Sequence, residues 1–239
     1  MIRDFDYFKQ RVEAGISGEI CQIPLQQPKL ASRVNLGKST YMLFGGSPGT
    51  GKTAIVDSVF ILEPYLWYLK NKDKTNIKPF WIYRSMERAK YLKIAKWTAY
   101  LLWIRHGFLI DIPTLLGWSN KRFDLTSEHK QWIDQCKPFF EEFSDYCKII
   151  DGPINPTGMI AYAEGIAKQK GRMVQHGEYD WEYVANNDNE IVFHVSDHVG
   201  KLKKEKGLLT NKDVLDTHSA YMSNLRDRYK WSIIDIQQL

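Results

Sequence analysis

The chain has 239 residues, 44% of them hydrophobic, which suffices for one large α/β domain with its own core. A formal net charge of +5 permits a polyanionic partner without requiring one. The three cysteines are odd in number and lack CxxC spacing, which argues against a disulfide framework and against a zinc site. The polar start MIRDFDYFKQ differs from a signal peptide, and charged residues interrupt the most apolar stretch, so we expect a soluble protein of a reducing cytoplasm.

Short β-rich runs alternate with helical patterns along the chain. We predict an irregular lead-in segment over residues 1–39 and a single domain over residues 40–239. The predicted strands are 40–44, 80–84, 147–150, 190–195 and 232–236. Strands that alternate with helices favour an α/β fold with a mainly parallel sheet and helices on both faces.

The helical patterns lie between these strands. The first begins at Lys52 and is expected to be interrupted by Pro64. A long amphipathic helix follows the second strand, and a single helix is predicted over 127–146. Gly171 is expected to end the next helix, and the polar residues 172–189 are predicted to form a surface insertion.

Residues 46–53, GSPGTGKT, match the phosphate-binding pattern G-x-x-x-x-G-K-[ST] between a predicted strand and a predicted helix. The glycines allow backbone N–H groups to turn toward phosphates, and the helix N-terminus adds a positive dipole end. Lys52 would contact the β and γ phosphates of ATP, and Thr53 would coordinate Mg²⁺. The residues assigned to the nucleotide are Gly46, Ser47, Pro48, Gly49, Thr50, Gly51, Lys52, Thr53 and Ala54.

The position of a catalytic carboxylate separates two classes that share such a loop. An AAA+ ATPase has a glutamate directly after its Mg²⁺-linked aspartate, and no Asp-Glu pair follows any predicted strand here. RecA-like ATPases of the helicase type carry the glutamate at the end of the strand after the phosphate-loop helix, and Glu87 follows that strand. Glu87 could orient or deprotonate the water that attacks the γ-phosphate, or it could be an exposed glutamate at a helix N-terminus.

Three aspartates near strand ends are candidates for the Mg²⁺-linked position: Asp151, Asp197 and Asp235. Asp235 is expected inside its strand, and Asp151 precedes an apparent strand-to-helix turn. We therefore favour Asp197, with a loop-capping role as the alternative.

With these residues in hand, the sequence resembles the DnaB-like replicative helicases of the RecA superfamily, particularly the divergent forms of large phages. The matching pieces are GGSPGTGKT (45–53), IYRSMER (82–88), VSDHVGKL (195–202) and WSIIDIQQL (231–239), with DGPINPTG (151–158) as a further similar segment. Their order agrees with the family from about residue 15 onward, and the phosphate loop is the most specific of them.

The resemblance implies a RecA-like ATPase that uses ATP and Mg²⁺, translocates on single-stranded DNA as a helicase, and assembles into a hexameric ring in a bacterial or phage-infected cytoplasm. It implies Glu87 as the catalytic base, Asp197 as the Mg²⁺-linked aspartate and Gln238 as the γ-phosphate sensor, with Gln237 as a close alternative. Four lysines follow the aspartate where RecA-like rings present loops to DNA, and a solvated charged loop without DNA contact is the alternative. They are Lys201, Lys203, Lys204 and Lys206.

The chain also departs from the family. Family members continue past the glutamine into strands that carry an arginine finger and a DNA-contacting loop, so we expect the domain to be incomplete at its C-terminus. Two other functions stay open: a RecA- or KaiC-like ATPase for recombination or regulation, and an ATP-binding loader or structural subunit with little turnover.

Overall fold

The computed structural model of the chain describes residues 3–17, 22–34, 36–119, 125–207 and 210–238. Its elements, in chain order, are α1 (Arg3–Ile16), α2 (Pro28–Ala31), β1 (Tyr41–Gly46), α3 (Lys52–Asp57), a π-helical turn (Ser58–Leu62), α4 (Glu63–Asn71), β2 (Lys78–Ser85), α5 (Lys90–His106), α6 (Ile112–Leu115), α7 (Ser127–Asp134), α8 (Lys137–Phe143), β3 (Cys147–Asp151), α9 (Pro156–Lys170), β4 (Gly171–Gln175), β5 (Trp181–Ala185), β6 (Glu190–Asp197), a 3₁₀ turn (Val199–Lys201), α10 (Asn211–Tyr229) and β7 (Ser232–Gln238). Among these described residues, no helix combines the length and apolar character that crossing a membrane requires.

Five parallel strands form the central sheet in the order β1-β7-β6-β2-β3. The predicted α/β fold with a parallel sheet is confirmed, and each of the five predicted strands is present. Every strand continues one or two residues further toward its carboxyl end than its sequence pattern indicates. The added residues are glycine or polar, and hydrogen bonds from neighbouring strands keep them extended although their β-propensity is low.

Helices cover both faces of the sheet. Alternate strand residues point to opposite faces, and apolar side chains on each face pack against helices. On the first face, Trp81, Phe193 and Ile234 belong to a core that includes the π-helical turn and residues of α4, α5 and α8. On the second face, Ile82 and Ile233 pack against α9 and α10. The phosphate-loop helix α3 lies on the first face, which therefore carries the candidate site.

Pro64 does not interrupt the first helix, contrary to the prediction. The helix continues from α3 through a π-helical turn into α4, with Pro64 in the first turn of α4. Proline has no N–H, so it cannot bond to the carbonyl four residues earlier, which belongs to Phe60. The buried indole Nε1 of Trp81 donates to that carbonyl at 3.1 Å, so the acceptor keeps a partner.

One further sequence prediction needs correction. The single helix over 127–146 is two helices, α7 and α8, because Pro138 lies in the first turn of α8 and cannot continue a preceding helix. The polar segment predicted as a surface insertion, 172–189, is mostly exposed and belongs to an antiparallel hairpin of β4 and β5. Tyr183 of β5 attaches the hairpin to α9 and α10. The Tyr183 hydroxyl donates to the Ala167 carbonyl at 2.9 Å, and the Tyr183 ring packs against Tyr229.

The lead-in segment contains more regular structure than its pattern indicates. It carries α1 and α2, and a β-bridge joins Ile23 to Leu36. Both side chains are fully buried against the first face of the sheet. The domain boundary at residue 39 stays a prediction.

We expect Trp81→Phe to destabilise the protein by about 1–2 kcal/mol more than Trp97→Phe, because it leaves the buried Phe60 carbonyl without a donor. Trp97 is the matched control: it is equally buried, and among the described residues its indole Nε1 has no hydrogen-bond partner. Urea unfolding followed by circular dichroism measures both variants. Equal losses of unfolding free energy would mean that the Trp81 hydrogen bond contributes nothing.

Candidate functional site

A tight loop joins the end of β1 to the start of α3. Gly51, the N-cap of α3, has φ of 80°, and Gly49 has φ of 75°, so both occupy the left-handed region that favours glycine. A Cβ on Gly46 would lie 3.4 Å from the Thr50 hydroxyl oxygen and 3.5 Å from Cδ of Lys52. Backbone conformation therefore favours glycine at Gly49 and Gly51, whereas a Cβ on Gly46 would make only ordinary van der Waals contacts.

Lys52 extends its ammonium group across this loop. Its Nζ donates to the carbonyl oxygens of Gly46 and Ser47, both at 2.7 Å. The Thr50 hydroxyl donates to the Ser47 carbonyl at 2.9 Å and closes the turn. A cation enclosed by backbone at a helix N-terminus is an arrangement that favours anionic groups.

Thr53 and Asp197 join the loop helix to the sheet. Asp197 is the last residue of β6, and its Oδ1 accepts a hydrogen bond from the Thr53 hydroxyl at 2.9 Å. Two neighbouring oxygen ligands beside a phosphate loop are the type of group that Mg²⁺ prefers. The residues present therefore fit an Mg²⁺-nucleotide site.

The second carboxylate oxygen of Asp197 has hydrogen-bond donors of its own. Its Oδ2 accepts hydrogen bonds from the Tyr83 hydroxyl at 3.0 Å and from Nζ of Lys93 at 3.1 Å. Burial alone would raise the pKa of Asp197, but the Lys93 ammonium and the hydrogen bonds from Thr53, Lys93 and Tyr83 hold it below its usual value. Asp197 is therefore ionised and fixed in orientation at neutral pH.

Asp57, at the end of α3, extends this buried cluster. Its carboxylate lies 3.3 Å from Nζ of Lys93 and 2.9 Å from Nζ of Lys96, and its Oδ1 lies 3.1 Å from the Tyr83 hydroxyl oxygen. The buried polar cluster, meaning Asp57, Tyr83, Lys93 and Asp197 with Lys96 at its edge, connects α3, β2, α5 and β6.

Of the residues in this cluster, the sequence patterns identified Asp197 alone. One signal was available, because Lys93 occupies the same helical stripe as Trp97 and Leu101, which are both buried. A lysine at a core position of a helix needs an acidic partner. That pattern indicates a buried ion pair, but it does not identify the carboxylates that form it.

Glu87 lies beside Asp197 at the carboxyl edge of the sheet. Ser85, the last residue of β2, pairs in register with Asp197, and Glu87 follows two residues later. The Glu87 side chain is 49% exposed, and its Oε2 lies 3.3 Å from Nδ1 of His198. His198 itself has φ of 72°, so the chain turns sharply just after β6 and brings the imidazole to Glu87.

The other two candidate aspartates have different surroundings. Asp151 ends the edge strand β3, and its Oδ2 accepts from the Lys90 backbone N–H at 2.9 Å, at the start of α5. Asp235 is buried toward the second face, where its Oδ2 bonds to Nε2 of His218 at 2.9 Å and to the Tyr41 hydroxyl at 2.7 Å. Of the three candidates, the aspartate at the end of β6 is the one that contacts the phosphate-loop helix.

The two glutamines at the end of β7 point to opposite faces. Gln238 pairs in register with Gly46, where the phosphate loop begins. Ile234 and Ile236 belong to the first-face core, so alternation puts Gln238 on the face of α3 and Gln237 on the opposite face. This parity favours Gln238 over Gln237 as the residue near the loop.

Of the four lysines beyond β6, Lys201 ends the 3₁₀ turn and the other three lie on the loop that follows it. The Lys203 backbone N–H donates to the Ile154 carbonyl at 3.0 Å, which attaches this loop to the β3–α9 connection. The lysine loop, meaning Lys201, Lys203, Lys204 and Lys206, has exposed side chains at all four positions.

No family model and no curated protein matches the chain. Solved structures are similar to it, among them the following two. One is the structure of a DnaB-like replicative helicase and its interactions with primase, with a TM-score of 0.67 at 16% identity. The match covers all of this chain and 49% of that chain, so this chain spans about half the length of that helicase. The other is the ATPase domain of G40-P, with a TM-score of 0.63 at 16% identity over 98% of this chain and 70% of that one. The chain therefore has the RecA-like fold of DnaB-like helicase ATPase domains, as its sequence predicts.

Proposed function

We propose that this chain is the ATP-binding and ATP-hydrolysing core of a DnaB-like replicative helicase that translocates on single-stranded DNA. The observation that carries the proposal is the 2.9 Å hydrogen bond between Thr53 of the phosphate loop and Asp197 of β6. It joins a complete phosphate-loop motif to an acidic strand end, within the fold of helicase ATPase domains.

ATP would bind with its phosphates inside the loop from Gly46 to Ala54. Lys52 would exchange its bonds to two loop carbonyls for bonds to the β and γ phosphates. Thr53 and Asp197 would hold Mg²⁺, which neutralises phosphate charge when bound. The side chains from Ser47 to Thr50 are exposed, so a nucleotide in the loop has an open side that a neighbouring subunit of a hexameric ring could cover.

Glu87 would serve as the catalytic base. Its carboxylate is half exposed at the carboxyl edge of β2, the strand next to β6, so it can reach a water beside the γ-phosphate. Gln238 would sense the γ-phosphate, because its strand lies between β1 and β6 and its side chain belongs to the face of α3.

We expect single-stranded DNA to raise the ATP hydrolysis rate of the wild-type chain. Glu87→Gln should lower the rate about 100-fold or more while ATP still binds, because the base is lost and the loop is kept. Lys52→Ala should weaken ATP binding as well as turnover. Phosphate release and nucleotide titration measure both properties.

Glu128→Gln is the matched control, since Glu128 is an exposed glutamate on α7. It should hydrolyse ATP at the wild-type rate. ATP binding without turnover in the wild type would contradict the motor and indicate an ATP-binding loader or structural subunit. ATP-dependent filaments would indicate a RecA-like assembly instead.

We further propose that the lysine loop contacts the phosphates of single-stranded DNA. The lysine loop begins four residues after Asp197, so a strand bound there would lie near the nucleotide site. Exposed lysines on such a loop neutralise phosphates without reading sequence.

Alanine at all four positions of the lysine loop should weaken binding of single-stranded DNA. It should also lower the slope of log affinity against log salt by up to about 3, since each lost phosphate contact removes about 0.7. Fluorescence anisotropy of labelled oligonucleotides over a salt series measures both quantities.

The control is a variant with the same change in charge at the opposite edge of the sheet. It replaces four exposed lysines around the start of β2, namely Lys70, Lys72, Lys74 and Lys78, with alanine. If both variants lose affinity equally, net charge rather than the lysine loop governs binding.

A further inference from the structure

Lys93 is a fully buried lysine whose ammonium group contacts two carboxylates. Its side chain is 0% exposed, and Nζ lies 3.1 Å from Oδ2 of Asp197 and 3.3 Å from Oδ2 of Asp57. A third contact, at 2.6 Å, joins Nζ to the Tyr83 hydroxyl. A buried lysine is retained in a fold when its partners satisfy it, and here three acceptors match its three N–H donors.

The charges of the buried polar cluster balance. Asp57 and Asp197 are the two anions, and Lys93 and Lys96 are the two cations. Lys93 contacts both carboxylates, whereas Lys96 contacts Asp57 and is 25% exposed. Removing Lys93 would therefore leave two carboxylates close together with one cation at the edge of the cluster.

Tyr83 cannot replace Lys93 as the donor to both carboxylates. Its hydroxyl oxygen lies 3.1 Å from Asp57 and 3.0 Å from Asp197, but a hydroxyl has a single proton to donate. Lys93 supplies the remaining donors. It is thus the residue that keeps Oδ2 of Asp197 turned inward and leaves Oδ1 for Thr53.

We propose that Lys93 is a positioning residue for the nucleotide site: it fixes the Asp197 carboxylate so that Oδ1 faces Thr53 and the Mg²⁺ that accompanies ATP. This inference rests on the proposed ATP site and adds to it a residue outside every motif of the sequence. Loss of a group that orients a metal ligand typically lowers metal affinity about 10-fold to 100-fold.

The test measures how much Mg²⁺ tightens nucleotide binding. A fluorescent ATP analogue is titrated with and without Mg²⁺, and the ratio of the two dissociation constants is the Mg²⁺ enhancement. Lys93→Met removes the positioning group, and Lys93→Met with Asp57→Asn restores the charge balance of the cluster. Lys96→Met is the matched control, since it removes a cation from Asp57 without touching Asp197.

We expect the charge-balanced double variant to fold and to bind the analogue without Mg²⁺ as the wild type does. Its Mg²⁺ enhancement should fall about 10-fold to 100-fold. Lys96→Met should keep the wild-type enhancement. Thermal unfolding and circular dichroism of each variant report the fold independently of the nucleotide.

Four results would overturn the proposal. An unchanged enhancement in the folded double variant would mean that Lys93 does not position Asp197. An equal loss of binding with and without Mg²⁺, or a double variant that fails to fold, would assign Lys93 to the fold instead. If the wild type does not bind the analogue in either condition, the proposed ATP site is wrong and this inference fails with it. If the wild type shows the Mg²⁺ enhancement and every variant keeps it, the ATP site stands and only the role of Lys93 is contradicted.

Discussion

The hydrogen bond between Thr53 and Asp197 is the contact on which the candidate site depends. It fixes the start of α3 against the end of β6, although β7 lies between β6 and the strand that leads into α3. Because the strands are parallel, all their carboxyl ends lie at one edge of the sheet, and the neighbouring strands place further side chains near this hydrogen bond. Gln238, at the end of β7, pairs in register with Gly46 of the loop, and Glu87 follows β2 on the other side of β6.

Buried charge on the first face of the sheet holds this contact in place. Asp197 is 2% exposed, and a carboxylate at that depth needs hydrogen-bond donors. Thr53 donates to one oxygen, while Lys93 and Tyr83 donate to the other. On the second face, Asp235 contacts a histidine and a tyrosine through Oδ2 alone, and that cluster attaches α10 to β7. The sheet therefore carries two buried acidic groups, of which the one on the first face opens toward the phosphate loop.

Sequence patterns predicted the strands, the parallel sheet and the phosphate loop, because periodicity and glycine spacing are local properties. They ended each strand too early, since the last residues are held by pairing with neighbours that the sequence does not reveal. Pro64 shows the same limit: its effect on the helix depends on an indole N–H from Trp81, 17 positions away in the chain. Lys93 lies on a recognisable buried stripe, but its two carboxylate partners come from α3 and β6.

The most direct test of the account is the affinity for ATP, with and without Mg²⁺, of the wild type, Asp197→Ala and Asp151→Ala, measured by isothermal titration calorimetry. Both aspartates end strands at the same edge of the sheet, but Asp197 contacts Thr53 and Asp151 caps α5. The account predicts that Asp197→Ala loses about 10-fold to 100-fold of the Mg²⁺-dependent affinity and that Asp151→Ala keeps it. Equal losses in the two variants, or a wild type that binds no ATP, would contradict it.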